Sequence, residues 1–432
     1  MTNELRQLVG YLEAAKSPVH VVEYSRMQLE KAGFEKLNFD TKFSISKGGK
    51  YFCTPYPSVL FAFKVSKNVG NGKMHIACAH TDSPSFKIKP AADMGAVANV
   101  ERVNVEPYGG ALKRTWFDRP LGVAGRLVLK SDNLFSPKTV IFDSEEPWFI
   151  IPSLAPHMDR EIEEKKIDAQ KELIPVCNLA GTDIKQGEGG FVKALAAKAG
   201  VSPEDILDYD LSLYICEQAS CCGINGEFLL APRIDNVGSV AALVQGIIDP
   251  EDSAEDDNDL SIVALFDNEE IGSRTKQGAD SMIFSWIIDR IFESDLFKDM
   301  DKLTALSHSA MLSVDGAHAV HPNYPEKADV TSKAYLGKGI VLKTSASQRY
   351  VSDAAMSGVL KQISQKYDIK LQVQANRSGT PGGQTLGPIE SSFLPIPAAD
   401  LGIPMLAMHS CMETIAGSDY EDLYRLMRVW YA

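Results

Sequence analysis

The sequence predicts an α/β protein, a layered α/β/α domain interrupted by a mostly β insertion. Three observations lead there. Apolar runs recur that stop at a carboxylate or an imidazole, as buried strands do at a sheet edge. From about residue 225 onward, strand-like and helix-like stretches alternate, the pattern of a largely parallel sheet covered by helices. Between 94 and 215 the pattern changes to short alternating strands with Gly and Pro turns, as in VANVERVNVEPYGG and RPLGVAGRLVLK.

A chain of 432 residues exceeds what one hydrophobic core usually serves. Two domains are expected: 1–93 joined to 216–432, and 94–215 inserted between them. Residues 1–93 open with the amphipathic MTNELRQLVGYLEAAKS, which lacks the charged start and apolar centre of a signal peptide. Strands ending at His80 follow. After the insertion come a helix over Val237–Ile248, an acidic surface loop DPEDSAEDDNDL and a strand over Leu260–Phe266.

Hydrophobic content of 44% and charged content of 23% fit an ordinary globular chain. A net charge of −13 would repel a phosphate backbone, which excludes non-specific nucleic-acid binding. No apolar run approaches membrane-spanning length. Seven scattered cysteines without a CxxC pair read as reduced thiols of a cytoplasmic protein, Cys78 and Cys411 being small buried residues.

The strand-end residues carry the chemistry. His80 and Asp82 follow MHIACA, Asp235 sits in APRIDN, and Glu269 and Glu270 follow SIVALFDN. Asp315 follows AMLSV and His409 follows IPMLAM. In open α/β sheets such positions meet at the carboxyl ends of the strands. Two imidazoles with several carboxylates suit two divalent metals, zinc first. Asp82 lies on the same side of an extended segment as His80 and can bond the imidazole nitrogen that faces away from a metal. Glu269 and Glu270 are adjacent and point apart, so one can bind metal while the other serves as general base and acid.

HTDSP, APRIDN, DNEEIGS, VDGAHAVHPNY and LAMHS stand here in the order found in the M18 aminopeptidases, and the chain resembles that family from about Leu5 onward. The resemblance implies a zinc-peptidase-like catalytic domain with a lid that also makes dimer contacts. It implies two zinc ions, with Co²⁺ or Mn²⁺ as substitutes. Asp235 would bridge them, His80 and Asp315 would complete one site, and Glu270 and His409 the other. Glu269 would be the base, and the Asp235–Asn236 peptide would be cis. On the substrate side, His318 would face the peptide while His321 orders its loop. His157 would reach into a neighbouring subunit's site. Lys343 would meet the carboxylate of an acidic first residue.

The implied activity is removal of the N-terminal residue from peptides with a free amine, Asp or Glu favoured, by a closed homo-oligomer, a dodecamer. Two departures bear on that preference: Gly379 stands where relatives usually carry an acid, and Ala346-Ser347 replaces a segment with a lysine. Two alternatives stay open. A broad or neutral-preferring aminopeptidase, or a related dinuclear-zinc carboxypeptidase or deacylase, would use the same metal chemistry. A non-catalytic self-assembling shell predicts a missing ligand, and every expected ligand is present.

Overall fold

The computed structural model describes residues 1–180, 190–251, 258–380 and 382–432. Half of the acidic run read as a surface loop, 252–257, lies outside the described residues. The chain divides into two compact units: Met1–Asp82 with Ala219–Met408 and Glu413–Ala432, and Ser83–Gln218 with His409–Met412.

The first unit is built on a nine-stranded sheet. In chain order its strands are β1 (Glu35–Lys36), β2 (Lys50–Tyr56), β3 (Val59–Val65), β4 (Met74–His80) and β5 (Leu260–Phe266). Then follow β6 (Ala310–Val314), β7 (Ile340–Thr344), β8 (Leu371–Ala375) and β9 (Ala398–Gly402). They lie in the order β1-β2-β3-β5-β4-β6-β9-β7-β8. The central four, β5-β4-β6-β9, are mutually parallel, so their carboxyl ends share one edge. Antiparallel pairs occur outside them, β3 on β5 and β7 on β9. Both β5 and β9 are buried at every position, which is why the β5 sequence LSIVALF is almost wholly apolar.

Helices cover both faces. On one side lie α1 (Asn3–Ala14), α3 (Ile234–Ile248) and α5 (Gly417–Trp430), with α2 (Pro18–Lys31) preceding α3 in the chain. Leu5, Leu8 and Leu12 of α1 recur at helical spacing and bury one face. The other side is covered by α4 (Ile283–Phe292), whose Ile283, Phe284, Ile287, Ile288 and Ile291 are buried. The layering is α/β/α, as expected from the alternation in sequence.

The runs ahead of Asp235 and His409 depart from expectation. They do not join the large sheet. Phe228–Ala231 and Pro404–Leu406 belong to a five-stranded sheet with Ser220–Cys222, Glu413–Ala416 and Ala317–His318. A short apolar run marks a strand but does not say which sheet it enters.

The second unit is an antiparallel six-stranded sheet. Its strands run Lys138–Asp143, Leu121–Leu129, Ile206–Ile215, Ser85–Val97, Val100–Tyr108, Val176–Leu179 across the sheet. Phe86, Val103, Leu127 and Leu213 form its core with Phe191 and Leu195 of the helix Gly190–Ala199.

Candidate metal centre

His80 ends β4 and is buried. Register sets Phe266 of β5 beside it, so the turn after β5 rises next to the imidazole. His80 Nε2 lies 3.5 Å from Asp235 Oδ1, 3.5 Å from Asp315 Oδ1 and 3.9 Å from Glu269 Oε2. His80 Nδ1 faces the other way, 3.0 Å from the Asp82 carbonyl and 3.3 Å from Asp82 Oδ1. A proton held on Nδ1 by those oxygens leaves Nε2 as the ligand atom.

Asp82 does more than orient an imidazole. Its two oxygens accept the backbone N–H groups of Glu269 and Glu270, each at 3.1 Å. One buried carboxylate thus fixes the histidine and the acidic pair together. The pair forms a single 3-10 turn, closed by Gly272 N–H on the Glu269 carbonyl at 2.9 Å. The turn begins at Asn268 (φ 64°) and ends at Gly272 (φ 96°), both in the left-handed region.

Asp235 stands at the start of α3, and its peptide bond to Asn236 is cis. Its N–H donates to Glu413 Oε2 at 2.9 Å, and Asn236 Nδ2 donates to the Val314 carbonyl at 2.9 Å. Glu413 is fully buried and was missed in sequence. Its signal was an acid opening the apolar strand Glu413–Ala416. Asp315 follows β6, its N–H on the Leu401 carbonyl at 2.9 Å. A Cβ at position 402 would run into the Asp315 carbonyl, so the close approach requires Gly402.

His80, Asp235 and Glu270 each present a ligand atom, all within 4.8 Å of one another. Asp82, Glu269 and Asp315 stand around them. Nitrogen and carboxylate oxygen are the donors zinc takes at catalytic sites, so the residues fit that metal. Electrostatics point the same way. Burial pushes the Glu269 carboxyl up to about 8, His80 opposing and Asp315, Asp82 and Asp235 adding to the rise. Burial and then the Asp235 charge lift Glu270 well above the usual carboxylate range. His80 is raised although burial opposes it, because Asp235, Asp315 and Asp82 favour its charged form. Protons and metal cations answer the same excess of negative charge, so a metal held here would compete with protons.

Lys343, on β7, is 2% exposed. Its ammonium donates to the Gly316 carbonyl at 2.9 Å and lies 3.7 Å from Asp315 Oδ2. The cation expected to meet substrate is therefore engaged within the protein. His318 is exposed on the short strand Ala317–His318, its carbonyl taking Gln374 Nε2 at 2.8 Å. His321 packs on Tyr324 and accepts the Asn323 N–H, ordering its loop. Gly379 has φ 82°, a conformation that favours glycine over an acid. His157 and His409 belong to the second unit. His157 is exposed, and His409 (φ 67°) has Nδ1 3.3 Å from the Gly110 carbonyl.

The model of the aminopeptidase I zinc metalloprotease family, M18, matches residues 11–431. A probable M18 family aminopeptidase 2 of Clostridium novyi is 38% identical, over 100% of both chains. An aspartyl aminopeptidase of Aspergillus oryzae is 35% identical, over 98% of this chain and 94% of that one. Among solved structures, a Saccharomyces cerevisiae mApe1 dodecamer superposes with a TM-score of 0.83 at 26% identity. That match covers 99% of this chain and 95% of that chain.

Proposed function

The chain belongs to the M18 family of zinc metalloaminopeptidases, and from that premise we propose that it binds two zinc ions and removes acidic residues from peptide N-termini. The observation that carries the reading is the convergence of His80, Asp235 and Glu270 within 4.8 Å at the carboxyl edge of the sheet. His80 and Asp315 would hold one ion, Glu270 and His409 the other, and Asp235 both. His409 enters on the sequence resemblance alone. When bound, the ions make water a nucleophile near neutral pH and polarise the scissile carbonyl.

The chain's own residues do the rest. Asp82 fixes the tautomer of His80 and the backbone of the acidic pair. Glu269 accepts the proton of the attacking water and returns it to the leaving nitrogen. His318 would contact the peptide, and the second unit would act as lid and dimer contact.

Preference for Asp or Glu is supported by the Aspergillus relative's name. A dodecamer is supported by the assembly of the yeast neighbour; in such an assembly His157 would reach a neighbouring subunit's site. Among the described residues no helix is long and apolar enough to cross a membrane. Seven free cysteines support a reducing compartment such as the cytoplasm.

The test is turnover on peptides opening with Asp, Glu, Leu or Ala, each with a free or acetylated amine. The reading expects free-amine Asp and Glu peptides to give the highest kcat/KM. Equal or better cleavage of the acetylated set would make the protein a deacylase or carboxypeptidase instead.

A further inference from the structure

The large sheet carries a second polar row beneath the metal-centre row. Cross-strand register places Cys78 of β4 beside Ser313 of β6, Ser313 beside Asp400 of β9, and Asp400 beside Lys343 of β7. Side chains alternate between faces along a strand, so residues two apart share a face. His80 is two residues beyond Cys78, and Asp315 two beyond Ser313. The row therefore lies one pleat below the metal-centre row, about 7 Å along the strands, on the same face.

Within it, Asp400 is completely buried and Lys343 nearly so. Asp400 Oδ2 accepts the Val351 N–H at 2.5 Å. The helix Leu386–Phe393 sits over Asp400 so closely that a Cβ on Gly387 would come 2.8 Å from Oδ2. No substrate reaches such a carboxylate. Lys343 extends from the row to the Gly316 carbonyl and Asp315, with the Tyr350 ring 5.3 Å from its ammonium. Burial opposes the lysine's charge, and Asp315 followed by Asp400 more than restores it. A buried ammonium without its carboxylates would be costly to keep.

We infer that Asp400 is a positioning residue: acting through Lys343, it holds the Asp315 carboxylate in place to bind metal. Lys343 is then an internal brace and not a contact for the substrate's side chain. This rests on the reading of His80, Asp235, Glu270 and Asp315 as metal ligands. Groups that orient metal ligands from behind typically change metal affinity or activity 10–100-fold when removed.

The experiment measures zinc affinity by competition with a chromogenic chelator, and kcat and KM on Asp- and Leu-leading peptides. It compares wild type, Asp400→Asn, and the double variant Lys343→Met with Asp400→Asn. Asparagine keeps the volume and the acceptor for Val351. Expected for Asp400→Asn is about 10–100-fold weaker zinc binding, with kcat reduced by the same factor on both peptides and KM unchanged. If the single variant fails to fold, the double variant, which removes both charges together, supplies the measurement and is expected to show the same loss. Zinc affinity within twofold of wild type in a folded variant overturns the inference. So does a loss confined to the Asp-leading peptide, because Lys343 would then be meeting substrate. A wild type that binds no zinc overturns the reading of the site itself, an outcome distinct from equal binding by wild type and variant.

Discussion

The two units handle charge in opposite ways. In the large sheet of the first unit, β5 and β9 are buried on both faces, and the buried charges Asp400 and Lys343 stand in the row behind the strand ends. In the second unit's antiparallel sheet, opposite charges pair across strands at the surface, as Arg126 and Asp210 do at 2.6 Å. The Asp210 side chain there is 57% exposed, whereas the Lys343 side chain beside Asp315 is 3% exposed. A charge kept out of water is costly and persists where it is paired or serves a site, whereas an exposed pair has almost nothing to offset. Burial, more than the presence of an ion pair, separates functional charge from surface charge in this molecule.

The contrast can be broken by substitutions on either side. Asp235→Ala removes the carboxylate between the proposed ions. It should abolish zinc binding and reduce turnover by more than the ~10²–10⁴ expected from losing a general base alone. Retained zinc with measurable turnover would show that the buried acids are not one site.

Asp419 tests buried charge away from the metal centre. It accepts the N–H groups of Gly337 and Gly339 at 2.7 and 2.8 Å. Burial pushes its carboxyl from the ordinary 3.8 up to about 6. Between those values the folded protein holds the extra proton, so its stability falls as pH rises through the window. Asp419→Asn should remove that fall. The variant would gain up to about 3 kcal/mol on wild type between pH 4 and pH 6 in denaturant melts. Parallel stability curves for the two proteins would mean that Asp419 does not titrate there.

The smallest effect belongs to the second unit. A double-mutant cycle on Arg126→Ala and Asp210→Ala should give a coupling of about 0.2–1 kcal/mol, reduced further by salt. A coupling several times larger would erase the distinction between buried and exposed pairs.

Much of the site was legible in sequence because buried parallel strands are apolar until they end. His80, Glu269, Glu270 and Asp315 stand where such runs stop, and Leu260–Phe266 is a strand over the expected residues. The layering followed from the same alternation. What was not legible depends on partners distant in the chain. Glu413 acts on Asp235 across 178 residues, and nothing local to either shows it. Asp400 sits inside the buried strand AADLG, and nothing local to that stretch shows what it meets. Its meaning comes from β7 lying antiparallel beside β9, a pairing set by topology. The strands before Asp235 and His409 were recognisable as strands, but their membership of a smaller sheet was decided by contacts beyond any local window.

If the cluster around His80 is a zinc site in which Glu269 moves the proton, removing that one proton acceptor must stop turnover without releasing metal. Zinc content and turnover of Glu269→Gln, measured on one preparation beside wild type, test it most directly. Glutamine fills the same space but cannot accept a proton. Two zinc ions per chain are expected in both proteins, with turnover of the variant reduced about 10²–10⁴-fold. Near-normal turnover with zinc retained would contradict it, because another group would then be carrying the proton.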